Sequence, residues 1–340
     1  MRAIVFQQFG EPGEVLQVRD VPVPEPGRGE VRVRMLASPV NPSDLLEIRG
    51  QYSARPELPA TPGHEGVGVV EAAGGGLLPR LLVGKRVAVL NRKTGNWCEQ
   101  TIIPARQAIP LPKDLPIEQA AMFFINPATA YVMTRRELKI PRGEWLLQTA
   151  AGSALGRMVI RLGRHYGFRT INVVRRAAQA DELRGLGADA VVAFDSATQQ
   201  PNELIDAVRQ ATGNADVKFA IEPVGGATGS AAVRCLGDGG RMLVYGTLAD
   251  EPLAVPCRRL IETGATIEGF FLKRWAMHRG LVVRLGLVRT IVKLMRAGVL
   301  VSPVGESFPL DAVVDAVRQS ERPGRAGKVL LRMDGASSPD

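Results

Sequence analysis

The chain has 340 residues, enough for two ordinary domains, and its 45% hydrophobic and 23% charged content is that of a globular protein. Net charge is +9 at pH 7, yet the basic residues are dispersed, as in Arg157, Arg161 and Arg164 or Arg284, Arg289 and Arg296, which argues against nucleic-acid binding and predicts solvated helix faces. No long uncharged apolar stretch exists for a membrane span or a signal peptide, and Cys98, Cys235 and Cys257 fall in no metal or disulfide spacing; a cytoplasmic protein with reduced thiols is expected.

Residues 3–6, 15–20, 30–37, 66–72 and 86–89 are short strand-like runs separated by Pro- and Gly-rich turns such as PVPEPGRGE and LPATPGHEG. Many short strands at close spacing predict a mostly β, barrel-like module. The connector IPLPKDLP (109–116) leads into a helical run, EQAAMFFINPATAYVMTRREL.

The stretch 144–176, EWLLQTAAGSALGRMVIRLGRHYGFRTINVVRR, then reads as strand, tight turn, helix and strand. Gly152, Ser153, Ala154, Leu155 and Gly156 form the turn, which departs from G-x-G-x-x-G because Ala154 stands where the middle glycine is usual. Such a turn presents backbone N–H groups to a phosphate at the positive end of a helix. Arg175 and Arg176 follow the second strand, at the position where a dinucleotide's ribose lies, so they predict NADP(H) over NAD. The runs 190–194, 217–222 and 241–245 continue a βαβα alternation, which predicts a doubly wound parallel sheet of the Rossmann type. Gly225, Gly226 and Gly246 follow such strands, where the lack of a Cβ lets a dinucleotide approach. Helices are expected at 280–297 and 310–319, and a last strand at 328–333. The expected division is 1–122 plus 272–340 for the β-rich domain and 123–271 for the dinucleotide domain.

In this order, NPSDLLEIRGQY (41–52), GNW (95–97), INPATAY (125–131) and TINVVR (170–175) resemble the medium-chain dehydrogenase/reductases. The similarity runs over nearly the whole chain and is nearest to their zinc-free 2-enoyl thioester reductases, with the quinone oxidoreductases beside them. The resemblance implies a Rossmann domain inserted into a GroES-like barrel domain, and a homodimer through the edge strands of the Rossmann sheets. It implies reduction of the C=C bond of a trans-2-enoyl thioester, carried on coenzyme A or an acyl carrier protein, with NADPH as reductant. The place of the family's first zinc-ligand cysteine looks to be Asn41, and the most metal-like pair is His64 with Glu65 in GHEG. One His without nearby Cys does not hold zinc, so no metal is expected and His64 reads as a hydrogen-bonded structural residue.

By the same resemblance Tyr52 is the proton donor, its alternative being a loop-packing Tyr. Asn41 is a second catalytic candidate or an Asx-Pro turn residue. Thr129 resembles the Thr that packs on the nicotinamide. Asn126 reads equally as a cofactor contact or a helix cap. At residues 270–272 only the backbone is a cofactor candidate, Phe271 above all, and the side chains read as sheet core. An acyl groove lined by Met35, Leu36 and Phe271 would favour the thioester, and an open cleft a quinone or small enone. A non-catalytic NADPH sensor is the alternative of another class.

Overall fold

The computed structural model describes residues 1–52, 55–91, 94–249 and 251–333, which fall into two compact units. One holds Met1–Ile125 and the chain from Ser302 on; the other is Asn126–Val301.

The first unit is built on β1 (Arg2–Val5), α1 (Pro12–Val15), β2 (Gln17–Asp20), β3 (Glu30–Pro39), α2 (Pro42–Ile48), β4 (Glu65–Ala73), α3 (Leu77–Leu82), β5 (Arg86–Leu90), β6 (Gln100–Pro104), β7 (Ala108–Pro110) and α4 (Ile117–Ala121). In β3, Val31, Val33 and Met35 alternate inward, as a half-buried strand requires, and from Ala37 onward both faces are covered. That strand is the spine: β4 and β6 pair antiparallel along it, and residues 328–332, a strand from the end of the chain, join its far end. The core gathers Ile4, Val31, Val33, Met35, Ile48 and Trp97, among others.

The second unit takes in α5 (Ile125–Val132), which starts at the last residue of the first unit. It continues with β8 (Trp145–Gln148), α6 (Ala154–Tyr166), β9 (Arg169–Val174), α7 (Ala180–Gly185), β10 (Ala190–Ala193), α8 (Pro201–Thr212), β11 (Val217–Glu222), α9 (Gly226–Arg234), β12 (Leu236–Val244), α10 (Cys257–Thr263), β13 (Thr266–Gly269), α11 (Leu272–Met277) and α12 (Leu281–Arg296). All pairings in its sheet are parallel, in the order β10-β9-β8-β11-β12-β13. With β8 as the first strand this is the doubly wound order 3-2-1-4-5-6, and the direction of winding reverses between β8 and β11. Burial on both faces accounts for the apolar run Trp145–Leu147 of β8 and for the covering of every β9 residue after Arg169.

The chain then re-enters the first unit as β14 (Val304–Pro309), α13 (Val313–Glu321) and β15 (Lys328–Arg332). The re-entry falls at Ser302, later than the expected 272. Helix α12 buries Leu287, Ile291, Leu294 and Met295, and Arg161 of α6 donates to the carbonyls of Val299 (2.9 Å) and Val301, which ties the segment to the second unit. Arg161 is therefore half-buried and engaged, not a solvated arginine. Ser302 marks the change: its N–H donates to Gln119 Oε1 at 3.1 Å, and Gln119 Nε2 donates to its carbonyl at 2.8 Å.

Three further expectations are corrected. The helical run before β8 is broken at 122–124, between α4 and α5. Phe271 is 43% exposed, because β13 is an edge strand and the chain leaves it for α11; it is not sheet core. Met35 is 1% exposed within the core of the first unit and does not line a groove.

Candidate active site

In the first unit the segment NPSDLLEIRGQY folds as a fully punctuated helix. Pro42 opens α2 in the first-turn position that suits a residue without an N–H. Asp44 reaches back, its Oδ2 accepting from the Asn41 amide N–H at 2.8 Å. At the far end Gly50 takes φ +72°, its N–H bonds Glu47 O at 2.9 Å, and the Gln51 N–H bonds Leu46 O at 2.8 Å. Those two bonds are the Schellman pair, which needs a left-handed residue where Gly50 stands. Tyr52 follows directly, half-buried, with its ring centroid 5.2 Å from that of His64.

His64 is clamped. Its Nδ1 lies 2.7 Å from Asp44 Oδ1 and its Nε2 lies 3.3 Å from Glu47 Oε1, while its backbone N–H also donates to Asp44 Oδ1 at 3.0 Å. Asp44 and Glu47 are three apart on α2 and so share one face. Burial alone would drive the imidazole toward its neutral form; the two carboxylates reverse that and raise its pKa to about 10. The hydrogen bonds of His64 are those expected of a structural His, and its raised pKa favours the charged form. Among the described residues no group of three or more His, Cys, Asp and Glu is arranged to hold a metal ion.

Beside this clamp Glu65 is 2% exposed and accepts from Asn41 Nδ2 (3.1 Å), Ile125 N–H (2.9 Å) and Phe124 N–H (3.3 Å). Burial pushes its carboxyl above the ordinary range, against the pull of those donors and of Lys328. Lys328, at the head of β15, is 4% exposed, and burial lowers its pKa to about 8 although Glu65 favours its charge. Asn41 is 3% exposed and its amide is committed to Glu65. Sequence reading passed over Asp44, Glu47 and Lys328. The i, i+3 spacing of Asp44 and Glu47 behind a capping Asn was the available signal for the first two; for Lys328 there was none.

In the second unit the five turn residues sit where β8 gives way to α6. Ser153 is the N-cap, its Oγ accepting from Gly156 N–H at 3.1 Å. A Cβ at Gly156 would lie 2.5 Å from Ala151 O, so glycine is required for the helix to approach its own strand. A Cβ at Gly152 would lie 2.4 Å from the Gln179 side chain. The first-turn amides above Ser153 have no helical acceptor, as at any helix start, and they fit a phosphate. The close contacts of the turn fall on Gly152 and Gly156, the two positions where glycine is kept.

Arg175 and Arg176 leave the end of β9 exposed, with no ion-pair partner among the described residues. Gly246 follows β12, where a Cβ would meet Pro223 O at 2.9 Å. Glu222 is fully buried at the end of β11 and accepts from Thr149 Oγ1 (2.9 Å), Val224 N–H (2.7 Å) and Gly225 N–H (2.9 Å), joining the exits of β8 and β11 where the winding reverses. It too was missed from sequence. The turn, both arginines, Gly246 and the exposed Phe271 thus share the carboxyl edge of one sheet, the binding edge of such folds. Thr129 is buried and Asn126 half-buried, both on α5. Asn126 lies in the first turn of the helix.

A sheet of this order, with a phosphate-ready helix start, joined to a β-rich unit, defines a dinucleotide-dependent oxidoreductase class. The alcohol dehydrogenase GroES-like domain matches residues 27–113, and the zinc-binding dehydrogenase domain matches residues 154–285. The mitochondrial enoyl-[acyl-carrier-protein] reductase of Xenopus tropicalis is 32% identical over 98% of this chain and 95% of its own. A Bacillus thuringiensis structure described as an NADPH:quinone reductase superposes with TM-score 0.89 at 33% identity, covering 97% of this chain and 98% of the other. The complex of Etr1p with NADP and crotonyl-CoA superposes with TM-score 0.84 at 26% identity, covering 97% and 99%. The chain belongs to the medium-chain dehydrogenase/reductase superfamily, in its zinc-free branch of enoyl reductases and quinone reductases, and is an oxidoreductase.

Proposed function

We propose that this protein reduces the C=C bond of α,β-unsaturated (trans-2-enoyl) thioesters with NADPH, and that Tyr52 handles the proton. The observation that carries the reading is Tyr52 itself, delivered by the Gly50 cap against a clamped imidazole in a chain similar over its full length to enoyl reductases. When bound, NADPH supplies a hydride to the β-carbon. The second unit's part is to hold it: the α6 start with Gly152, Ser153, Ala154, Leu155 and Gly156 takes the pyrophosphate, and Arg175 and Arg176 the 2′-phosphate. Asn126, Thr129, Gly246 and the Phe271 backbone are its further contacts in this reading.

Negative charge then moves onto the thioester oxygen as an enolate, which needs a hydrogen-bond donor, and the α-carbon needs a proton. A phenol, ordinarily ionising near pH 10, donates to an enolate while itself uncharged. Asn41, with its amide on Glu65, fits a positioning role more than direct contact with the substrate. The acyl group is carried on coenzyme A or, as the relatives' names imply, on an acyl carrier protein. β13 leaves an unpaired strand edge among the described residues, and a homodimer joined along it is part of the reading. So is a cytoplasmic location, which accords with three free cysteines; among the described residues no helix is long and apolar enough to cross a membrane.

The test is NADPH oxidation with crotonyl-CoA, a longer trans-2-enoyl-CoA and a small quinone, for the wild type and Tyr52→Phe. Thioester turnover that falls about 10²-fold or more in Tyr52→Phe, with NADPH affinity unchanged, is expected for a proton donor. Turnover of the quinone alone would transfer the chain to the second reading, a zinc-free NADPH:quinone reductase, which the Bacillus thuringiensis neighbour favours. Tight NADPH binding without turnover of any of the three would make it a sensor.

A further inference from the structure

We propose that His64 is a positioning residue for Tyr52: pinned by Asp44 and Glu47, its imidazole fixes the Tyr52 ring and presents a positive charge to the phenol as the proton departs. The inference rests on the reading of Tyr52 as proton donor. A neutral imidazole has one N–H donor and one acceptor nitrogen. Here both ring nitrogens face carboxylate oxygens, at 2.7 and 3.3 Å, and carboxylates only accept. Nε2 hydrogen-bonds Glu47 while Nδ1 lies within ion-pair distance of Asp44 without an aligned hydrogen bond, so the two carboxylates favour the protonated ring and hold it between them. Asp44 is itself immobilised, fully buried and bonded to the Asn41 backbone N–H.

The remaining surface of such a ring is its face and edge, and against it lies the Tyr52 ring at 5.2 Å and 39°. That separation is within cation–π range. As Tyr52 gives up its proton the phenol acquires negative charge, and a fixed cation beside it stabilises that charge more than it stabilises the neutral phenol. The carboxylates of Asp44 and Glu47 hold the imidazole in place and offset part of its charge. His64 touches neither substrate nor cofactor in this account and acts through Tyr52 alone.

The test is a double-mutant cycle on the full-length protein, reading kcat and KM with crotonyl-CoA, NADPH affinity and thermal midpoint for Tyr52→Phe, His64→Gln and the double variant. His64→Gln is expected to lower kcat about tenfold, within the range that misplacement of a catalytic group produces, with NADPH affinity unchanged. Added to Tyr52→Phe it is expected to lower kcat no further, since its effect passes through the hydroxyl already removed. A full additional drop in the double variant, or a loss confined to KM and thermal midpoint, would overturn the proposal while leaving Tyr52 as donor. If Tyr52→Phe by itself leaves turnover intact, the donor reading fails and the proposal falls with it. Should His64→Gln not fold, Glu47→Gln decides in its place. It keeps an oxygen acceptor and loosens one end of the clamp, and a kcat equal to wild type in that variant overturns the proposal.

Discussion

Replacing Arg175 and Arg176 together by Ala tests the cofactor half of the molecule with little disturbance of the fold. Both side chains are exposed at the end of β9 and neither forms an ion pair among the described residues, so the double variant breaks no ion pair there. Surface changes of that kind alter stability by less than about 0.5 kcal/mol. Against the 2′-phosphate each guanidinium offers charge-assisted bonds of about 1.5–3 kcal/mol. Exposure takes the lower end: Coulomb attraction at contact is about 1 kcal/mol in water and about 4 kcal/mol near a protein surface. Two arginines then give about 3 kcal/mol, close to a 100-fold rise in the dissociation constant for NADPH.

NADH has no 2′-phosphate, so its affinity should change by no more than a few-fold. Titrating each cofactor by fluorescence or calorimetry, at low salt and again at about 0.5 M, gives the ratio directly. Preference for NADPH should collapse in the variant, and in the wild type it should shrink with salt because both arginines are open to screening. Equal weakening of both cofactors, or no weakening of either, would refute the assignment of these arginines to the 2′-phosphate.

The fold makes two further claims that measurement can reach. Gly156→Ala puts a methyl about 2.5 Å from a backbone oxygen that cannot move aside, so it should cost at least 2–3 kcal/mol, lower the thermal midpoint by about 5 °C or more, and weaken NADPH; a wild-type melting curve would show that α6 does not depend on that contact. The buried cluster predicts opposed pH effects on stability. His64 titrates near 6.5 unfolded and near 10 folded, so its contribution is complete below about pH 6.5 and drains away as pH rises to 10. Lys328 is lowered to about 8, so the cost of holding its charge is present below pH 8 and is relieved as pH rises toward its unfolded value near 10.4. Stability measured by urea unfolding should fall from pH 6.5 to 8 and fall less steeply above 8; in Lys328→Met the upper slope should steepen, and an unchanged slope would remove Lys328 from the account.

What could be read in the sequence was what repeats locally. Strand β8 shows as the apolar run Trp145–Leu147 because parallel strands are covered on both faces, and β3 shows by its alternation. The turn at Gly152–Gly156 and the paired arginines after β9 were visible because a strand–turn–helix–strand unit is built from neighbours in the chain. Phe271 failed because aromatic residues beside a strand look alike whether the strand is central or at an edge, and only the sheet order makes β13 an edge. Met35 failed for the complementary reason: its inward face is decided by β4 and β6, both distant in sequence from it.

The same limit explains why three motifs that looked independent are one structure. NPSD, GHEG and INPATAY each read as a short signature, and nothing in their spacing joins them. Glu65 of GHEG joins them physically: one carboxyl oxygen takes the Asn41 amide of NPSD, and the other takes the Ile125 N–H that opens INPATAY. Its neighbour His64 meanwhile takes Asp44 and Glu47 from the helix that NPSD begins. Of the pair His64 and Glu65 in GHEG, one member is thus tied to the helix before Tyr52 and the other to the Ile125 N–H at the last residue of the first unit. Substituting Glu65 by Gln would keep the shape and lose the acceptor strength. That change is therefore expected to disturb Asn41 and the start of α5 together, which no motif taken singly would have foretold.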